Sequence, residues 1–217
     1  MNFEQARFNM IEQQIRPWEV LDPKVLDILS QLRREDFVPP EHRNLALADL
    51  QIPLGHGVSM MPPKLEARLV QELQLNPQDK VLEVGTGSGF TTALLASLCK
   101  HVYSVEISPE LSETAKKHIA DCNIQNVTLE VGDAARGWPE HAPYDAILVT
   151  GSLPILSQSF KDQLNPGGRL IAIVGQSPAQ EVVRIERVAD SSWSQTSLFE
   201  TDIAPISNAE SVSEFEF

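Results

Sequence analysis

The chain has 217 residues, with 17 Lys and Arg against 30 Asp and Glu and a formal net charge of −13. Hydrophobic residues at 42% and charged residues at 22% are ordinary globular usage, which excludes collagen-like, low-complexity and wholly disordered chains. So acidic a chain repels phosphate backbones and anionic membrane surfaces, so nucleic acid and membrane are set aside as partners in favour of a small molecule or a protein. Cys99 and Cys122 form no C-x-x-C pair and no disulfide framework, and two free thiols fit a reducing compartment. The opening Met-Asn-Phe-Glu-Gln-Ala-Arg lacks the basic-then-apolar run of a signal peptide, and no apolar stretch has the length of a membrane span. The expectation is a soluble cytoplasmic protein.

Phe8, Ile11 and Ile15 recur at helical spacing, and Pro17 ends that pattern. Asp22-Pro23 reads as an N-cap followed by proline at the first helical position, with Val25, Leu26, Leu29 and Leu32 as the apolar face. Residues 51–63 read as an irregular loop with several apolar side chains. A third helix carries Leu65, Leu69 and Leu73. From Asn76 onward the apolar runs Val81–Val84, Val102–Val105, Val127–Val131, Ala146–Val149 and Leu170–Val174 suit parallel strands covered on both faces. Helical patterns fall between most of them, over Thr91–Cys99, Pro109–Ala120 and Leu156–Leu164. This alternation predicts right-handed βαβ units in a Rossmann-like, doubly wound α/β sheet. Asn165-Pro166-Gly167-Gly168 reads as a turn before the fifth strand. Glu181–Val188 and Ser197–Ile206 follow as antiparallel strands, and the acidic end Ser207–Phe217, with Glu210, Glu214 and Glu216, reads as solvated and frayed.

The strongest local signal is Val81-Leu82-Glu83-Val84-Gly85-Thr86-Gly87-Ser88-Gly89-Phe90, a buried strand running through three glycines into a helix. Glycines permit the tight turn and close approach of a ligand, and a helix N-terminus offers free N–H groups to it. Glu106, at the end of the second strand, can accept both ribose hydroxyls of a nucleoside cofactor, which suits NAD as well as other nucleosides. Asp133 follows the third strand. His118 and Cys122 are four apart on a helix, but no second pair accompanies them. They read as a surface histidine and a buried thiol, with no metal. No H-E-x-x-H and no G-x-S-x-G occurs.

The spacing of Gly85, Gly87 and Gly89, with Glu83 two residues ahead, resembles motif I of the S-adenosylmethionine-dependent methyltransferases. That resemblance implies that Glu83, Gly85, Thr86, Gly87, Ser88 and Gly89 surround the cofactor, with Glu106 and Ile107 at the ribose. It places Asp133 and Ala134 at the adenine, and Thr150 close by.

Further segments resemble the protein-L-isoaspartate O-methyltransferase family over nearly the whole chain. They are Met10–Arg16, Arg33–Pro39 (with Arg33 where proline usually stands), Leu45–Asp49, Leu54–Gly57, Pro143–Thr150 and Leu164–Leu170. The resemblance implies one methyltransferase domain, in which residues 1–75 form a helical cover and substrate loop over the α/β core of residues 76–217. It implies S-adenosyl-L-methionine as methyl donor, S-adenosyl-L-homocysteine as product and isoaspartyl peptides or proteins as acceptors. The family's Gln-Thr-Ile-Ser-Gln-Pro is replaced here by Val58-Ser59-Met60-Met61-Pro62-Pro63, so Met61 stands where the family has its active-site serine. Ser59 keeps a hydroxyl and would position the acceptor, with Met61 lining the pocket. The family's Thr-Ala-Ala-Ala-x-Pro is likewise changed to Thr150-Gly151-Ser152-Leu153-Pro154.

A free carboxyl titrates near 4, so such an acceptor is already ionised at neutral pH and methyl transfer to it requires no general base. The enzyme has to align oxygen, methyl and sulfur and exclude water. Met60, Met61 and Leu153 leave open a same-fold methyltransferase with a more apolar acceptor. A non-catalytic cofactor-binding relative acting through a partner is a further alternative, and an NAD oxidoreductase a more distant one.

Overall fold

In the computed structural model, which describes residues 2–210, the first third of the chain forms three helices and a hairpin. Helix α1 (Phe3–Met10) passes into a π-helical turn over Ile11–Ile15 and a 3-10 turn over Arg16–Trp18. The wider π turn changes the face presented to the core, so Ile11 and Ile15 are buried while Phe8, expected on the same face, is 59% exposed. Helix α2 (Pro23–Gln31) starts as its sequence predicts, with the Asp22 side chain accepting the Lys24 N–H and Pro23 in the first turn. Residues 51–63 are not an irregular loop. Ile52–Gly55 (β1) and Val58–Met60 (β2) pair antiparallel around His56-Gly57, both at positive φ, as a tight hairpin turn requires. Helix α3 (Pro63–Glu72) follows.

The apolar runs then form β3 (Lys80–Val84), β4 (His101–Glu106), β5 (Val127–Val131), β6 (Tyr144–Leu153), β7 (Leu164–Gln176), β8 (Ala179–Ala189) and β9 (Ser192–Thr201). They join in the order β5-β4-β3-β6-β7-β8-β9, parallel through β7 and antiparallel beyond it. Helices α4 (Phe90–Ala96), α5 (Pro109–Asp121) and α6 (Gln158–Asp162) lie in the crossovers, α4 and α6 being shorter than expected. Strand alternation divides the core: Val81, Ala146, Leu148 and Ile171 pack with the N-terminal helices, α3 and α4, whereas Leu82, Val84, Ile147, Val149 and Leu170 pack with Phe160 and Tyr144 on the other face.

Three expectations for this region change. Strand β5 lies at the sheet edge, so its run is only part-buried and Val131 is exposed. Residues 165–168 bulge from β7 rather than precede it, because Tyr144 pairs with Leu164 and Ala146 with Arg169. Strand β9 ends at Thr201, and the chain returns to the end of β6, where Ser152 N–H bonds to Ala204 O and Ile206 N–H to Ser152 O. The expected frayed tail is partly held: Asn208 Nδ2 donates to Asp133 (2.9 Å) and Glu210 pairs with Arg136 (3.0 Å). Glu214 and Glu216 lie outside the described residues. Among the described residues no helix is long and apolar enough to cross a membrane.

Candidate active site

The chain leaves β3 towards β4 and β5, then returns to the opposite side of β3 as β6. Such a reversal opens a crevice at the carboxyl ends of the strands. A cleft of about 170 Å³ lies there. Of the residues singled out from the sequence, it is lined by Ser59, Met61, Gly85, Thr86, Gly87, Ser88, Glu106, Ile107, Asp133, Ala134 and Thr150. Glu83 and Gly89 do not line it.

The glycine loop is shaped by close approach. Gly85 has φ +93, and a Cβ there would stand 2.4 Å from Thr150 Oγ1. That hydroxyl hydrogen-bonds the carbonyl oxygens of Val84 (2.9 Å) and Gly85 (2.7 Å), tying β6 to the end of β3. Gly89 serves a different contact: a Cβ there would meet Ala115 of α5 at 3.2 Å. It lets two helices approach, so Gly89 itself stays out of the cleft while Thr91, in the first turn of α4, lines it. His118, read as a surface residue, is half-buried with its Nδ1 2.8 Å from Ser88 O, and Cys122 is only half-buried.

Glu106 accepts the N–H of Gly87 on one oxygen (2.8 Å) and of Ser108 on the other (3.1 Å). Each oxygen has a second lone pair for a hydroxyl donor. Asp133 is exposed, accepts the Ala135 N–H (3.0 Å) and faces Asn208. Glu83 is fully buried beneath the loop. One oxygen accepts from Thr92 (2.5 Å) and Ser104 (2.6 Å), and the other has no partner. Because Ser104 donates to Glu83, Thr86 donates to Ser104 across 2.6 Å, so Glu83 steadies the glycine loop from below. Burial outweighs these two hydrogen bonds and, with the charges of Glu106 and Glu66, raises the Glu83 carboxyl to about 8.

Several lining residues escaped the sequence reading. Glu66 and Thr91 form part of the floor, Gln51 and Leu54 come from the hairpin side, and Ile203–Ser207 form a wall. Glu66 carried a signal, since it lies three residues before Leu69 in an otherwise apolar stripe. Burial raises its carboxyl to about 7, opposed by Arg34. The wall carried none, because only the return of the chain after β9 puts it there.

Glu66, Glu106 and Asp133 are the charged residues among those described as lining the cleft, and no Lys, Arg or His joins them. An anionic pyrophosphate finds no counter-charge in this lining, whereas a nucleoside bearing positive charge does. The crevice, the glycine turn and the strand-end carboxylates define a Rossmann-like α/β protein of the methyltransferase type. The sequence pattern of the protein-L-isoaspartate(D-aspartate) O-methyltransferase family matches residues 5–211. The chain belongs to that family.

Among its relatives, the protein-L-isoaspartate O-methyltransferase of Myxococcus xanthus is 43% identical over 77% of this chain and 80% of its own length. That of Protochlamydia amoebophila is 41% identical over 82% and 85%. A beta-aspartate methyltransferase structure from Plasmodium falciparum, in complex with S-adenosyl-L-homocysteine, shares the fold with a TM-score of 0.79, 19% identity and coverage of 95% and 98%.

Two outcomes follow from the loop geometry. Gly85→Ala combines left-handed backbone strain of about 1–2 kcal/mol with the Thr150 clash. It should lower the melting temperature and weaken S-adenosyl-L-homocysteine binding about tenfold in calorimetry. Glu83 keeps its proton to higher pH folded than unfolded, so its contribution to stability falls as pH rises from 4.5 to about 8. Glu83→Gln should flatten the decline in melting temperature between pH 5 and 8, and slopes equal to wild type would show that Glu83 ionises as an ordinary carboxylate.

Proposed function

We infer that this protein transfers a methyl group from S-adenosyl-L-methionine to the free carboxylate of L-isoaspartyl residues in peptides and proteins, releasing S-adenosyl-L-homocysteine. One observation carries the reading for a member of this family: a carboxylate-bearing cofactor end and the Ser59–Met61 segment line the same cleft. Glu106 would hold the ribose hydroxyls, Asp133 the adenine amino group, and the Gly85–Ser88 backbone the methionine portion. When bound, the cofactor supplies the sulfonium methyl.

The acceptor end has different chemistry. Ser59 is exposed and lines the cleft, so its hydroxyl is available to an acceptor carboxylate. Met60 and Met61 are buried in the core and also line the cleft, and a thioether donates no hydrogen bond. Ser59 therefore orients the acceptor while Met61 keeps water from it. An ionised carboxylate needs no base, and none is assigned. The paired methionines also favour the runner-up reading, a more apolar acceptor. Leu153 does not, since it is fully buried and does not line the cleft.

Labelled methyl transfer to an isoaspartyl peptide, with the aspartyl peptide as control, tests the reading. Transfer to the isoaspartyl form alone is expected. Ser59→Ala should reduce kcat/KM for the peptide about tenfold, the scale of one hydrogen bond to a charged group, and leave S-adenosyl-L-homocysteine affinity unchanged. Cofactor binding without transfer to either peptide would sink the isoaspartyl assignment.

A further inference from the structure

Arg34 is the largest side chain buried to this degree, at 1% exposure, and it lies outside the cleft lining. All three of its nitrogens are engaged. Nε donates to Ala46 O (2.8 Å), Nη2 to Met61 O (2.6 Å) and Nη1 to Glu66, while the guanidinium carbon lies 4.9 Å from the centre of the Phe90 ring. Glu66 in turn accepts from Thr91 of α4 across 3.4 Å and lines the floor of the cleft. One guanidinium thus joins four elements: the segment before β1, the exit of β2, the first turn of α3 and the start of α4.

The contact with residue 61 is to its main chain. The anchoring is blind to the side chain, so methionine can replace a hydroxyl residue there without changing how the strand is held. Glu66 neutralises Arg34, and the acceptor end consequently gains a fixed geometry and no cation from it. A lysine cannot reproduce this, because an ammonium is a point charge and not a planar fork.

We propose that Arg34 is a positioning residue for methyl transfer: through the Met61 carbonyl it sets the Ser59–Met61 segment against the cofactor cleft, and Glu66 holds it in that register. The kinetic part of this proposal rests on the isoaspartyl reading above.

Arg34→Lys is the first test. The acceptor KM should rise about tenfold, the S-adenosyl-L-homocysteine Kd should stay within about twofold, and amide hydrogen exchange should quicken in Val58–Met61 but not in β3. Removing one member of a buried pair endangers folding, whereas replacing both with apolar residues of similar volume is tolerated. The double variant R34M/E66M therefore serves as a second test and should show the same acceptor KM rise and the same local exchange. Wild-type exchange in the hairpin of both variants would overturn the proposal, as would acceptor KM and cofactor Kd rising together. If wild-type protein methylates no isoaspartyl peptide, the isoaspartyl reading fails, and the exchange experiment still decides whether Arg34 sets the strand.

Discussion

The site depends on a buried ion pair between Arg34 and Glu66. Taking two charges out of water is costly, and attraction alone recovers that cost only when the remaining donors and acceptors are satisfied. Here they are, because two backbone carbonyls and a threonine hydroxyl complete the set. The pair sits where the segment before β1, the exit of β2 and helix α3 meet the start of α4, so the same bonds that bury it hold these segments together beside the cleft. Burial pulls both partners towards neutrality, lowering Arg34 and raising Glu66, and each opposes that shift in the other.

Around this anchor the cleft is organised by where carboxylates end up. Glu106 and Asp133 stand at successive strand ends with oxygens turned to the cleft and to backbone N–H groups. A ligand with positive charge is favoured there, and an acceptor carboxylate meets no protein cation among the described lining residues. Alignment and water exclusion are then the protein's main contributions, which suits a nucleophile that is ionised before it binds.

Glu83 differs in purpose from the strand-end carboxylates Glu106 and Asp133. It stands two residues before Gly85, and the resemblance to the methyltransferase glycine motif implies a place at the ligand. Strand alternation turns it beneath the loop instead, where it orders Ser104 and through it Thr86. The three glycines divide in the same manner. Gly85 and Gly87 line the cleft, while Gly89 gives α5 room to approach α4.

The sequence by itself determined the parallel strands of the core and the glycine turn, because hydrophobic periodicity and turn chemistry are local properties, and its family resemblance pointed to part of the cleft lining. The hairpin around His56-Gly57 was within its reach, since two short alternating segments flank a two-residue turn, and Glu66 was visible as a carboxylate in an apolar stripe. Tertiary structure alone decided the partner of Arg34, the side of the strand on which Glu83 falls relative to the ligand, and the wall from Ile203 to Ser207. These depend on contacts between residues distant in sequence, such as Arg34 with Glu66, 32 positions apart, and Ile206 with Ser152. No periodicity records such pairings, because they arise only when the sheet order brings distant segments to one end of the fold.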